Sequence, residues 1–333
     1  MDDTFLRGVN LGGWLVLERW MTPGLFAGTK AVDEYTFMQA PGAEEKIRSH
    51  HQTFIAEEDF RWIKESGLNA VRIPVGYWVL EGDWSYLESR EQLDWAMEMA
   101  EKYSLRVIID VHGLPGSQNG RDHSGRVGRS KWYGSKIYRQ ESVRLVAGIA
   151  KRYADHPALW GIQVINEPRL GVFHVRLRAY YQRVYCDLVN ILPQSVRIIT
   201  SDAFTPRLMS GALRKSSHPV AMDVHSYHMA TPLAQLLSVE WFFAKLRRRK
   251  KLFELLSRTQ PLIIGEWSGV LSHKTMRNVP PQHHDRLFAD YVRLQQDVYS
   301  VTSGWFYWNY KTEKPGQWNF RSQVEAGLID VIA

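Results

Sequence analysis

Leu159–Pro168 reads LWGIQVINEP, an apolar run interrupted only by Gly161 and Gln163 that ends in an amide, a carboxylate and a proline. A short continuous apolar run of this kind is expected of a β-strand covered on both faces, as in parallel sheets. It predicts a strand over Leu159–Asn166 whose far end delivers Asn166 and Glu167. The same pattern recurs outward in both directions. Val107-Ile108-Ile109 lies in a predicted strand, Arg106–His112, that ends in Asp110 and His112. Leu262-Ile263-Ile264 lies in another, Pro261–Trp267, that ends in Gly265-Glu266-Trp267. Further strands are predicted at Arg7–Leu11, Asn69–Val75, Val196–Ser201, Val220–His228 and Ser303–Tyr310. Amphipathic helical patterns lie between them: Glu57–Ser66, Arg90–Tyr103, Ile137–Ala154, Phe173–Ile191, Leu233–Leu256 and Gln282–Val298. Gly67 and Pro157 fall just past helix ends, where stop signals belong. Only the link Asp202–Pro219 is short of helical pattern.

Eight strands alternating with helices predict an α/β fold, a (β/α)8 barrel in which residues 1–333 form one catalytic domain. No linker-like stretch or fixed-period repeat divides the chain. The long segments Trp14–Thr53, Val79–Arg90 and Gly113–Lys136 each follow a strand. They are therefore expected as loop insertions on the C-terminal face of the barrel, where barrel active sites are built.

Composition narrows the function classes. Of 333 residues, 44% are hydrophobic and 23% charged, the balance of an ordinary globule and not of a disordered chain. The single cysteine, Cys186, excludes an intramolecular disulfide and any multi-cysteine metal site. No apolar run approaches the ~20 residues that span a bilayer. The start Met1-Asp2-Asp3-Thr4 lacks the basic and apolar regions of a secretory leader, and with the missing disulfides this predicts a cytoplasmic location. Net charge is +7, scattered except in Lys245–Lys251 (KLRRRKK), which reads as a solvated helix face and not as a nucleic-acid patch. No nucleic-acid or membrane partner is expected, and the chain is expected to be a monomer. Thirteen tryptophans are unusual. Trp62, Trp95 and Trp160 sit in apolar patterns and are expected in the core. Trp84, Trp267, Trp305, Trp308 and Trp318 stand beside loop residues, where exposed indole faces suit sugar rings. Trp14 and Trp132 fit either role.

Polar groups gather at the predicted strand ends: Arg72, Asp110, His112, Asn166, Glu167, His225, Tyr227 and Glu266. Strands four and seven lie opposite each other in an eight-membered ring, so Glu167 and Glu266 are expected to face across it. Two facing carboxylates in a tryptophan-lined cleft suit glycosidic cleavage, one protonating the leaving oxygen and the other meeting the developing oxocarbenium ion. A separation of about 5–5.5 Å permits direct attack and retention, whereas about 6.5–9.5 Å admits a water and gives inversion. Asp110, His112, His225 and Glu266 also include metal-ligating types, but no His-x-His follows the first strand and no metal or cofactor is expected. His228 falls on the opposite strand parity from His225 and Tyr227 and is expected to point away from the barrel axis.

Arg7–Phe26 (RGVNLGGWLVLERWMTPGLF), Asn69–Trp78 (NAVRIPVGYW), Asp110–Gly125 (DVHGLPGSQNGRDHSG), Val164–Pro168 (VINEP), His225–Tyr227 (HSY) and Ile263–Ser268 (IIGEWS) together resemble glycoside hydrolase family 5, in particular its exo-β-1,3-glucanase branch. The resemblance runs in order along nearly the whole chain. It implies a retaining β-glycosidase acting on a β-glucan or β-glucoside, with Glu167 as acid/base and Glu266 as nucleophile. By the same resemblance Asn166 bonds the sugar 2-OH and Arg72 holds the nucleophile ionised. Tyr227 donates to that carboxylate, and His112 and His225 contact the sugar. Trp308 stacks under the ring, and Glu18 with Asn10 grip its distal hydroxyls. Glu167 is expected to be tuned upward by the negative charge of Glu266.

Two departures stand out. Arg121 and Ala230 replace aromatic residues that the branch usually carries at the cleft entrance, so linkage and leaving-group preference are left open. So is the choice of exo or endo action. A transglycosylase would use the same carboxylates, and a silent carbohydrate-binding barrel would keep the tryptophans and lose a carboxylate.

Overall fold

The computed structural model describes residues 4–82, 84–169, 174–213, 216–228 and 237–331. The apolar runs form eight short strands: β1 Leu6–Asn10, β2 Ala70–Gly76, β3 Arg106–Gly113, β4 Leu159–Gln163, β5 Arg197–Ser201, β6 Val220–His225, β7 Leu262–Trp267 and β8 Gly304–Tyr307. Each pairs in parallel with its neighbour in sequence, and β8 pairs with β1 through Leu6↔Gly304 and Val9↔Tyr307, which closes the barrel. Helices intervene at Glu57–Glu65, Arg90–Lys102, Lys136–Tyr153, His174–Leu188, Val239–Ser257 and His284–Tyr299, each covering the outside of the sheet. The predicted starts Phe173 and Leu233 lie outside the described residues. Between β5 and β6 the described residues contain a single helical turn, Pro206–Met209, at the place where the sequence carried least helical pattern.

Alternation along the strands explains where the polar chemistry sits. Side chains two apart share a face, so Ala70 and Arg72 point the same way, as do Ile108, Asp110 and His112, and Ala221, Asp223 and His225. One residue from every strand (Leu6, Ala70, Ile108, Trp160, Ile199, Ala221, Ile263 and Phe306) builds an apolar plug inside the barrel. The polar residues stand directly above that plug. Between sheet and helices lies the larger core, with Phe60, Ile63, Leu93, Val146, Leu177, Phe242 and Tyr291 buried in it. Register shifts occur between Asp223 and His225 and between Ile264 and Trp267. Such irregularities re-aim side chains beside active sites, and here they flank Glu266.

Several expectations need correction. The insertion Trp14–Thr53 is more than loop: it contains the helix Ala43–Thr53 and a small core of its own around Leu17, Phe26, Phe37 and Ile47. Trp267 and Trp305 are buried, packed edge-on to each other with ring centroids 5.4 Å apart, and offer no face to a sugar. Trp14 and Trp132 are core as well. Their indole N–H groups donate to the His51 carbonyl at 2.8 Å and to Ser142 Oγ at 2.9 Å, which satisfies the one polar atom a buried indole carries. The basic run Lys245–Lys251 lies on the helix Val239–Ser257. There Arg249 turns inward to Ser226 Oγ and Lys250 pairs with Asp297 on the neighbouring helix.

Candidate active site

Arg72 organises the mouth of the barrel. Its guanidinium is fully buried and donates from Nε to Gln163 Oε1 at 3.1 Å, from Nη1 to Asn10 Oδ1 at 2.7 Å and Glu266 Oε1 at 3.0 Å, and from Nη2 to Asn166 Oδ1 at 2.9 Å. Nη2 also lies 3.1 Å from Asp110 and 3.6 Å from Asp223. A planar guanidinium with five fixed donors suits such a hub, because one group sets the positions of several acceptors at once.

Glu266 receives Arg72 on Oε1 and the Tyr227 hydroxyl on Oε2 at 2.9 Å. Both bonds favour its charged form. Burial, together with the charges of Glu167 and Asp110, works the other way and pushes it up to about 7 against the pull of His225 and Arg72. Glu167 comes from the opposite side, just past the end of β4. Its backbone has φ +39°, a left-handed conformation unusual for a residue with a side chain. The Gly113–Lys136 segment holds it there: Gln118 Nε2 donates to the Asn166 carbonyl at 2.9 Å and Asn119 Nδ2 to the Glu167 carbonyl at 3.1 Å. Strain of this kind persists where surroundings over-determine it, and it gathers at functional sites.

His225 lies between the two carboxylates. Its Nδ1 is 2.8 Å from Glu167 Oε1 and 3.3 Å from Glu266 Oε2, and its Nε2 is 3.2 Å from Asp223. Burial opposes a charge on this ring, but the surrounding carboxylates win and hold it well above the usual histidine range. His123 adds a second imidazole, with Nε2 3.3 Å from Glu167 Oε2. Burial alone would raise Glu167, yet the His225 hydrogen bond and the neighbouring histidines bring it down to about 2. The expectation that Glu266 would tune Glu167 upward is therefore reversed, because the imidazoles outweigh the carboxylate.

Other predicted residues are placed more specifically than their sequence suggests. His112 donates from Nδ1 to Asp110 at 2.5 Å, and its Nε2 meets Asn166 Nδ2 at 3.2 Å, so the ring is a neutral tautomer with both nitrogens engaged. Burial and Arg72 hold it well below its ordinary value, which agrees. The ring lies parallel to Trp308, centroids 5.5 Å apart. Asn10 requires correction as a sugar contact. Its amide N–H groups are spent on the carbonyls of Gly265, Phe306 and Tyr307 and its oxygen accepts from Arg72, so it positions the hub. Glu18 keeps one buried oxygen, Oε1, without a partner, while Oε2 accepts from Trp20 Nε1 at 2.8 Å. His228 packs away from the site against Phe242 and Tyr291. Arg121 is exposed, and Ala230 lies outside the described residues.

Sequence reasoning missed two residues. His123 sits inside the quoted GSQNGRDHSG motif, but nothing in its spacing revealed that the loop folds back onto Glu167. Phe204 follows β5 in the segment that carried least pattern. It is half exposed and sets its ring edge-on to His225, centroids 6.3 Å apart. Among the described residues, the cluster able to surround a cation is Glu167, His225 and Glu266, whose ligand atoms all lie within 4.8 Å of one another.

The family model described as cellulase (glycosyl hydrolase family 5) matches residues 33–313. The chain belongs to glycosyl hydrolase family 5. Curated relatives include the probable glucan 1,3-beta-glucosidase A of Aspergillus terreus, 33% identical over 98% of this chain and 88% of that protein. The corresponding protein of Emericella nidulans is 32% identical over 97% of this chain and 89% of its own length. Among solved structures, the rutinosidase from Aspergillus niger superposes with a TM-score of 0.81 at 19% identity, covering 98% of both chains. Endo-glycoceramidase II from Rhodococcus sp. does so at 0.59 and 16% identity, covering 96% of this chain and 76% of that one. These likenesses carry the barrel fold across different family 5 neighbours. The family membership makes this chain a glycoside hydrolase whose substrate is a carbohydrate.

Proposed function

We propose that the protein is a retaining β-glycosidase that hydrolyses β-1,3-linked glucosides from a chain end by double displacement. The observation that carries this reading is the approach of the two carboxylates: oxygens of Glu167 and Glu266 lie within 4.8 Å of each other. One oxygen of each group no farther apart than this favours the ~5–5.5 Å carboxyl spacing of direct attack over the about 6.5–9.5 Å of inversion.

Glu266, oriented by Arg72 and Tyr227, attacks the anomeric carbon from one face of the ring. The leaving oxygen on the other face needs a proton, and His225, held well above the usual histidine range, carries one with Nδ1 2.8 Å from Glu167 Oε1. A sugar entering the mouth excludes water, and an ion pair in a drier site collapses toward its neutral form. The proton then passes to Glu167, which hands it to the departing oxygen as the C–O bond breaks. In the second step Glu167 takes a proton from a water that displaces Glu266 from the anomeric carbon. Asn166, with one amide hydrogen on His112, has a second for the sugar 2-OH. To Trp308, parallel to His112, we assign the stacking under the ring, and to Glu18 Oε1, which has no partner, its distal hydroxyls. The curated relatives' names support the β-1,3 linkage and the glucose unit. The resemblance of the motifs to the exo-acting branch supports release from a chain end.

The test is a panel of β-1,3-, β-1,4- and β-1,6-linked gluco-oligosaccharides with product anomers followed by NMR. Fastest release of β-glucose from the β-1,3 series is expected. First-formed α-glucose, or a preference for another linkage, would overturn the corresponding part. Products longer than the substrate would instead favour transglycosylation by the same residues.

A further inference from the structure

A second cavity of about 950 Å³ opens between the loops after β1, β2 and β3. It falls in the size range of ligand sites, yet it contains neither catalytic carboxylate. The wall between them is the 113–131 loop. Ser124 lines the cavity, while its neighbour His123 reaches Glu167 on the other side. That wall is internally tied, with Ser117 Oγ and Ser124 Oγ 2.6 Å apart.

The lining combines two kinds of group. Aromatic rings form one side: Trp84 is 77% exposed, the most exposed large apolar side chain among the described residues, with Tyr35 edge-on to it at 6.1 Å. Tyr86 continues the surface, itself stacked flat on Trp78 at 3.9 Å. Cations form the other side. Arg126, Arg129, Lys131 and Arg144 line the cavity against Glu81 and Glu141, and none of the six has an ion-pair partner among the described residues. Arg126 is already held for recognition, its guanidinium stacked 3.8 Å over the Tyr35 ring.

We propose that this cavity is a second carbohydrate-binding site selective for acidic sugars, in which Trp84 and Tyr35 stack against pyranose rings and Arg126 with Arg129 take their carboxylate or sulfate groups. The choice of a glycan as ligand rests on the glycosidase reading above; the aromatic-and-cationic lining does not. Nucleic acid is the competing ligand for such a lining, in which Glu81 and Glu141 stand among the cations.

The experiment is calorimetric titration of the full chain with laminarihexaose and with its C6-oxidised, carboxylate-bearing counterpart. The oxidised chain should bind about tenfold more tightly than the neutral one, with that gap shrinking at high salt. Trp84→Ala and the double variant Arg126→Ala/Arg129→Ala should each lose about tenfold in affinity for the oxidised chain. Neither should change turnover of a small aryl β-glucoside, since none of these residues touches the catalytic carboxylates. Unaltered affinity in both variants would overturn the proposal, as would tighter binding of a single-stranded DNA dodecamer that is lost in the same variants. Absence of any glycosidase turnover would count against the catalytic reading alone, because the titration needs no reaction. Circular-dichroism melting of each variant separates lost binding from lost folding.

Discussion

His225 shows how one side chain settles the behaviour of two others. It bridges Glu167 and Glu266 while Asp223 holds its far nitrogen, so the two carboxylates and the ring titrate as one unit. Glu266 lies above the ordinary glutamate range and has to be ionised to attack. The acid limb of kcat/KM should therefore fall nearer neutrality than an isolated glutamate would give, with activity lost as pH drops through it. His123→Ala removes a neighbour whose charge holds Glu167 low, so the proton shared by His225 and Glu167 should be held more tightly and the alkaline limb should move up by about one pH unit or less. Arg121→Ala should leave both limbs in place; equal profiles for wild type and His123→Ala would refute the coupling. Glu266→Ala should lose nearly all turnover and recover part of it with azide, giving an α-glycosyl azide. Glu167→Ala should keep activity on activated aryl glycosides while losing about 10²–10⁴-fold on ordinary ones, the range general acid catalysis supplies. The two glutamates, Arg72 and Tyr227 were legible because strand parity and motif place them at one end of the barrel. His123 and Phe204 were not, since both reach the site through loop conformations that no periodicity records. Asn10 was misread for a related reason: the motif fixes its position, whereas only the closed ring reveals that its amide is already spent.

At the scale of elements, the segment between β1 and β2 is the clearest case of structure beyond pattern. Its short helix Glu34–Phe37 starts from Asp33, whose carboxylate accepts from the Thr36 amide and so satisfies a donor that the helix start would leave free. Glu34 is fully buried and accepts from the Leu17 amide at 2.8 Å. Burial pushes its carboxyl up to about 8. The folded state thus holds this proton more tightly than the unfolded chain. Its contribution is intact below about pH 4.5, declines as pH rises through the interval to about 8, and stays low above that. Glu34→Gln keeps the acceptor and removes the charge. It should be more stable than wild type, by a margin that widens between pH 5 and pH 8 in denaturant midpoints. A constant margin would contradict the assignment. All eight strands were legible, because fully buried parallel strands announce themselves as apolar runs, but β4, β6 and β8 each end three residues before the predicted end, where the chain leaves the ladder for the site loops. The helix Ala43–Thr53 was not, since its sequence AEEKIRSHHQT gives only a thin apolar stripe.

Across the whole molecule, closure is what turns local patterns into a site. Glu167 and Glu266 are 99 residues apart in sequence and meet only because β8 returns to β1. The plug beneath them depends on one residue from each strand. Phe306 is fully buried in it, so Phe306→Ala should cost about 3–5 kcal/mol of stability, read as a lower denaturant midpoint at unchanged m-value. A changed m-value would mean that the barrel no longer unfolds as one unit. The most direct test of the account follows from the same geometry. A 2-deoxy-2-fluoro-β-glucosyl fluoride forms the covalent intermediate readily and releases it slowly, and peptide mass spectrometry locates the sugar. The label is expected on Glu266, in the peptide carrying IIGEWS. A label on Glu167, or a substrate turned over with inversion and no label at all, would contradict the mechanism.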